Sequence, residues 1–522
     1  MKKRTMPVIG SLLGAMLLAS CGGGSDEEVA IEEGNGEERS GYGGTINYGY
    51  STQPEVLDPH FTTAAATRDI SRSIYESLVT LNSNYEVAPM LAEDYEVSED
   101  GKTIVFTLRE GVLFHNGEEM TSEDVVASMQ RWQDVSNVLP EAQYEADGDY
   151  TVNVLLDEMN NTALHLLADI SQMAAIMPAE IASNAAATGV DEYIGTGPYE
   201  FGVWHQDQHV QLTRFEDYVG VDVPADGLSG EKHAYADEIL VHFVPDSQTR
   251  LSGMQTGEYD AINGVPFDNY EMLEADDSIE LMTTPSGMEV LVFNKEQGLF
   301  SDPLARQAMN IALDKQPILQ AAFNYEDFYS LEPGLMIPDQ TDWYTRAGEE
   351  NYDVHDPDLA LSMLEEAGYD GEEIRILTSR DYDFHYNVAV VAHQQLEEMG
   401  INATLNVVDW ATLLSLRDDP NEYEMFVTSF FVYAVPHQYP FFNPSWAGWT
   451  DHPGYEEYFD EIDQAETQEE ALVLFEELQE LFYEDVPVVN IGHYDNVEAV
   501  SDRLTDYELL MGPIFWNVQV EE

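Results

Sequence analysis

The stretch from Met425 to Thr450, MFVTSFFVYAVPHQYPFFNPSWAGWT, concentrates residue types whose chemistry is stacking and apolar contact rather than catalysis. Its 26 positions hold nine Phe, Tyr or Trp and no Asp, Glu, Lys or Arg, in a chain with 100 acidic and 20 basic residues. Aromatic rings stack on sugar faces, cover apolar side chains and hold cations by the ring quadrupole. Phe430, Phe431, Tyr433, His437, Tyr439, Trp446 and Trp449 are the candidate wall of such a site. Phe426, Val427 and Phe430 read as one buried, central parallel strand. Trp446 and Trp449 stand among Pro, Gly and Asn, so they belong to a loop that either faces the ligand or packs beneath it.

Two further places carry binding chemistry. Ser51, Thr52 and Gln53 follow the first apolar strand, at the carboxyl end where α/β ligands bind, and serve either a ligand or the turn itself. Arg380, in LTSRDYDFHY, offers a planar fork suited to a carboxylate, or else pairs with Asp381 or Asp383. Trp410 reads as core. Catalysis has no comparable support: HExxH, GxSxG and the P-loop are absent from the sequence, and its one cysteine is Cys21. The 13 His include His233 with His242 and His385 with His393, but scattered His among many carboxylates is what chance provides. The expectation is a non-enzyme without cofactor or bound metal.

Such sites need a folded frame, and composition supplies one. A net charge of -80 would suit a disordered acidic chain, but 44% hydrophobic residues, with 7 Trp, 29 Tyr and 21 Phe, give ample material for burial. The acid therefore sits on folded surfaces, where it repels nucleic acid and anionic lipid and suits a saline exterior with a short Debye length. A length of 522 residues implies about two to four domains.

Residues 1–20, beginning MKKRTMPVIGSLLGAMLLAS, form a basic start followed by an apolar run, the pattern of a secretory signal peptide. Leu18-Ala19-Ser20-Cys21 resembles a lipobox, which makes Cys21 the lipidation site and the new N-terminus. Residues 21–44 then read as a Gly-rich acidic tether.

Beyond the tether, Thr45–Tyr50 reads as a strand and Arg68 to Leu78 as a helix, from the spacing of Ile70, Ile74 and Leu78. Alternating runs around Glu-Asp-Gly and within EADGDYTVNVLL predict two hairpins, and Thr121 with Asp124 opens a helix to Trp132. GTGPY at Gly195 to Tyr199 marks a turn back into strands. Helices are predicted over Asp302 to Lys315, Asp358 to Ala367 and Asn387 to Met399, with strands over Glu373 to Thr378 and Ile401 to Val408, an α/β alternation.

Several phrases then fall into a known order. GGTINYGYSTQPEVLDP, SEDGKTIVFTLREGVLFHNGEEMTSEDVVASMQRW, YIGTGPYEF, DPLARQAMNIALDK, DPDLALSMLEEAGY and QLEEMGINATLNVVDW together resemble the family 5 extracellular solute-binding proteins, the peptide, nickel and oligosaccharide receptors of ABC importers. The resemblance implies a bilobed α/β receptor of the periplasmic-binding-protein type, with an inserted domain and a ligand held between two hinged lobes. On this chain, lobe I would be 45–80, 194–285 and 490–522, the inserted domain 81–193, and lobe II 286–489. The hinge would lie near Met288 to Phe293 and Val486 to Ile491. The implied partners are a small solute, an ABC permease and its ATPase. The protein would be a monomer outside the cytoplasmic membrane, touching it through the lipid anchor alone.

In dipeptide receptors of this family the aromatic loop carries an Asp that pairs with the ligand's α-amino group. Here the residue before Pro436 is Val435, and an ammonium buried without a carboxylate costs several kcal/mol. Oligopeptide-like solutes lead the expectation. An oligosaccharide receptor and a sensory peptide-binding lipoprotein stand as alternatives, and a nickel receptor would use His437.

Overall fold

Thr45–Tyr50 forms a strand in which Ile46 and Tyr48 are fully buried. In this computed structural model the described residues are 41–136, 138–139, 142–186 and 188–521; the signal sequence, Cys21 and most of the tether lie outside them. The first strand pairs in parallel with Glu238–Phe243 and with the short Ala261–Ile262. Among the described residues it belongs to an eleven-stranded sheet.

Two long strands, Ile279–Phe293 and Val488–Ser501, run antiparallel along their whole length through the middle of that sheet. At one end, Ala499 and Val500 border Ala261–Ile262, and beyond it stand the first strand, Glu238–Phe243, His209–Arg214 and Tyr199–His205. At the other end, Gly287 to Phe293 pair with Met425–Phe431, followed by Ile374–Ser379 and Ala403–Val408. The neighbours change across Pro285–Gly287 and Tyr494–Asp495, where the pairing register also shifts. This divides the sheet into two halves and the molecule into two lobes. The partner change lies just outside the apolar runs Met288 to Phe293 and Val486 to Ile491, which are buried within the second half. Gly287 is placed where a Cβ would stand 2.1 Å from the Phe430 carbonyl oxygen, so the strands approach at this point without a side chain between them.

Met425–Phe431 is central and buried as predicted, with Phe426 and Val427 fully enclosed. It is parallel to Ile374–Ser379 but antiparallel to Ile279–Phe293, so the expected purely parallel strand is a mixed one.

A separate antiparallel sheet, ordered Ala92–Val97, Thr103–Leu108, Thr151–Leu155, Gln143–Ala146, contains both predicted hairpins. Helix Ser122–Ser136 packs on it and begins as the sequence predicts: Asp124 accepts from the Thr121 amide at 2.9 Å and the Thr121 hydroxyl at 3.0 Å. Arg131 of this helix binds the buried Asp58 in VLDPH through both Nη groups, at 3.1 and 2.5 Å, fastening the small sheet to the first lobe.

The helix predicted through Leu78 spans Ala65–Ser71 instead. The Ile74 carbonyl is taken by the Gly197 amide at 2.9 Å and the Ser73 carbonyl by the Tyr199 amide at 3.1 Å. GTGPY thus competes successfully for the acceptors a longer helix needs. A Cβ at Gly195 would lie 2.2 Å from the Ile74 oxygen, and one at Gly197 would lie 2.4 Å from that of Ser73. The predicted helix over Asp302 to Lys315 is likewise two, Pro303–Ala312 and Lys315–Phe323, and the helix predicted from Asn387 starts at Asp383. Among the described residues no helix is long and apolar enough to cross a membrane.

Candidate ligand cleft

A cavity of about 540 Å³ opens where the long strands change partners. Its base is Thr284, Pro285 and Ser286 on one strand, with Asn496 and Glu498 on the other. The first lobe contributes Ser51, Thr52 and Gln53 just past its first strand, with Arg68 and Asp69 on helix Ala65–Ser71. The second lobe faces them with Tyr382, Phe431 and Val432.

The first-lobe wall is held by hydrogen bonds within that lobe. The Ser51 amide donates to Asn263 Oδ1 at 2.8 Å, and Asn263 Nδ2 returns to the Ser51 hydroxyl at 3.2 Å. Gln53 accepts from the Asp207 amide at 2.6 Å and donates to Gln206 at 3.2 Å. Deeper, Asp69 Oδ1 accepts from Arg68 Nε at 2.8 Å and Arg72 Nη2 at 2.9 Å, while Oδ2 accepts from the Tyr50 hydroxyl at 2.7 Å. Burial opposes the charge on Arg68, but Asp69 beside it overrides that and raises its pKa. Glu498 accepts from the hydroxyls of Tyr48 and Tyr507, each at 2.8 Å. Burial pushes its carboxyl up to about 7 against the opposing pull of those two hydrogen bonds.

On the second lobe, Phe431 is 54% exposed at the end of its strand. Tyr382 meets the edge of Trp410 at 5.0 Å, and Trp410 stacks on His385 at 5.4 Å. His385 Nδ1 lies 2.8 Å from the buried Glu289 Oε1. Trp410, expected as core, is half-buried and supports Tyr382.

Of the residues singled out in the sequence, Ser51, Thr52, Gln53 and Phe431 come together at this cavity; the others do not. Arg380 is exposed and lies over the Tyr386 ring at 4.3 Å, with Nη2 donating to the Tyr386 hydroxyl at 2.6 Å. Its partner is therefore neither Asp381 nor Asp383 nor the cavity. Tyr433 turns away and packs edge-on against Tyr439, and its carbonyl accepts from Gln340 at 2.5 Å. His437 lies on Phe459 and 3.4 Å from Asp463, lining a different depression beside the small domain. Trp446 packs on Phe426 and Phe430, and Trp449 stacks on Tyr423, near the opposite end of the strand from Phe431. Aromatic rings of the loop thus satisfy each other rather than face a solute. Arg68, Asp69 and Glu498 had gone unnoticed, although an Arg-Asp pair just after the first strand is unusual in a chain so poor in Arg. Among the described residues no group of three or more His, Cys, Asp or Glu is placed to hold a metal ion.

Two α/β lobes joined by paired crossover strands, with a cavity at the crossing, define a bilobed solute-binding receptor. The chain belongs to the family described as "Bacterial extracellular solute-binding proteins, family 5 Middle", which matches residues 86–460. It is a family of receptors located outside the cytoplasm, not a family of enzymes. A probable peptide ABC transporter periplasmic-binding protein of Sinorhizobium fredii, y4tO, is 28% identical over 493 residues, covering 89% of this chain and 91% of its own. The glutathione-binding protein GsiB of Escherichia coli is 29% identical over 365 residues, 68% of this chain and 67% of its own. Among solved structures, the binding protein AgaA of A. tumefaciens in complex with agropinic acid superposes with a TM-score of 0.75 at 24% identity, covering 92% of this chain and 99% of that one. The oligopeptide-binding protein AppA of Bacillus subtilis in complex with a nonapeptide gives 0.74 at 21% identity, with the same coverage.

Proposed function

We propose that this protein captures an oligopeptide-like solute between its lobes and hands it to an ABC permease driven by its ATPase. The observation that carries the reading is the cavity at the partner change, walled by Ser51 to Gln53 from one lobe and Phe431 with Tyr382 from the other. Its volume falls within the range of about 300–1,000 Å³ usual for small-molecule sites. Rotation about the crossover strands would bring these walls together and expel water, and the joined face is what a permease would read. The peptide character of the named relatives y4tO and AppA supports the ligand class.

In this reading the lobes comprise 45–80 with 194–285 and 490–522, and 286–489, with 81–193 inserted. The protein is a monomer fixed to the outer face of the cytoplasmic membrane by a lipid on Cys21, in a saline medium. Mass spectrometry of solutes released from protein purified in high salt tests the ligand class, backed by melting with added tripeptides. A peptide at a hundred times its Kd stabilises the fold by about 2.7 kcal/mol. Recovery of sugars alone, with no peptide raising the melting temperature, would refute the peptide reading. Cys21→Ser should move the protein from the membrane to the soluble fraction, and continued membrane association would refute the anchor.

A further inference from the structure

The chain holds 20 basic residues against 100 acidic ones, yet two arginines stand one helical turn apart beside the cleft and share a single carboxylate. Arg72 is buried and committed, with Nη2 on Asp69 and Nη1 on the Leu510 carbonyl at 2.9 Å. Arg68 is different. Its side chain is 14% exposed and lines the cavity, and beyond Nε on Asp69 its two Nη groups meet no acceptor among the described residues.

Two guanidinium groups share one hydrogen-bonded aspartate, and Asp169 acts on Arg68 only through its longer-range field. Glu498, the other acid at the base, has both oxygens occupied by tyrosine hydroxyls and is pushed toward its neutral form by burial. Asp69 already accepts three hydrogen bonds and is the counter-ion of both arginines. The remaining acid of the wall, Glu55, is exposed at the rim. The aromatic loop contributes no acid, since Val435 stands before Pro436. A ligand ammonium therefore meets only buried carboxylates already bonded within the protein, whereas a ligand carboxylate finds the free two-pronged edge of a guanidinium.

We propose that Arg68 binds the carboxylate of the solute, and that the cleft selects its ligands by that group and not by a free α-amino group. This rests on the receptor reading above and narrows it to carboxylate-bearing solutes, including peptides with blocked or absent amines.

The test uses the full-length protein in saline buffer and a pooled tripeptide library in four end-group forms: free, N-acetylated, C-amidated and doubly blocked. Retention is read by equilibrium dialysis and mass spectrometry. The free and N-acetylated pools should be retained within about threefold of each other, and both amidated pools about thirtyfold less, as expected for losing hydrogen bonds to a charged group. Arg68→Gln should lower the acid pools to the amidated level, and Arg68→Lys should restore part of the difference. The comparison of pools on the wild type needs no variant to fold. Equal retention of amidated and acid pools, loss of retention on N-acetylation, or a folded Arg68→Gln that keeps the acid pools would each overturn the proposal. Failure of all four pools on the wild type would overturn it as well. Neutral trisaccharides then separate the two ideas, because their retention would keep the receptor while removing the carboxylate requirement.

Discussion

The Tyr48 hydroxyl donates to Glu498 Oε1 at 2.8 Å, joining residues 450 positions apart at the base of the cleft. Tyr507 holds the other carboxylate oxygen. Burial raises this carboxyl from 4.5 to about 7, so the folded protein binds its proton more tightly than the unfolded chain does. Its contribution to stability is complete below the unfolded value and is lost as pH rises through 7. Glu498→Gln keeps the neutral shape without the titration. The variant should therefore match the wild type near pH 4 and exceed it at pH 8 by up to about 3 kcal/mol. Melting temperatures across that interval check this, and parallel curves for the two proteins would contradict it.

Phe431 projects into the cavity with 54% of its surface exposed. Phe431→Ala should leave stability within about 0.5 kcal/mol, because the ring contributes little to the core. Affinity for a bound peptide should fall at least about tenfold through the lost apolar contact. Calorimetric titration alongside urea unfolding separates the two effects, and unchanged affinity would remove Phe431 from the binding surface.

Gly287 stands where the long strand passes to its new partner. With a Cβ only 2.1 Å from the Phe430 oxygen, Gly287→Ala forces the strands apart and should cost about 3 kcal/mol. A drop in the urea midpoint is expected, and an unchanged midpoint would show that the crossing tolerates a side chain.

The legible parts of this molecule are those whose signals are local. The Thr121 cap and the hairpin at Glu-Asp-Gly need no distant partner, Ser51 to Gln53 drew attention because they follow an apolar strand, and Phe431 because it belongs to the uncharged aromatic stretch. The helix through Leu78 failed because Gly197 and Tyr199, more than a hundred positions on, take its carbonyls. His437, Trp446 and Trp449 misled for another reason: a loop rich in rings looks the same in sequence whether it faces a ligand or folds onto itself. Glu498 stayed hidden because its significance depends on Tyr48, 450 positions away, and Arg68 because the cavity it lines is assembled from segments far apart in the chain.

Arg131 and Asp58 form a buried ion pair between the small domain and the first lobe. Asp58 also accepts from the amides of His60 at 3.1 Å and Val190 at 3.0 Å. Arg131→Ala strands that carboxylate and should cost about 3–5 kcal/mol, read as a lower denaturant midpoint. A loss below about 1 kcal/mol would mean the carboxylate is satisfied without the arginine.

A net charge of -80 should make the fold depend on salt. Raising NaCl from about 0.1 M to about 2 M shortens the screening length from about 10 Å to under 3 Å and should raise the melting temperature. A melting temperature that stays flat or falls would argue against a saline habitat.

The pairing of the first strand's neighbourhood with Val488–Ser501 also sets a clock. Tyr48 packs against Phe515 at 5.2 Å, and the Leu510 carbonyl binds Arg72. During synthesis or export, residues 45–72 must wait for several hundred later residues to emerge before these contacts can form. Folding slows with such long-range pairing. Until then the apolar side chains of the first strand, Ile46 and Tyr48, lack the C-terminal contacts that complete their burial.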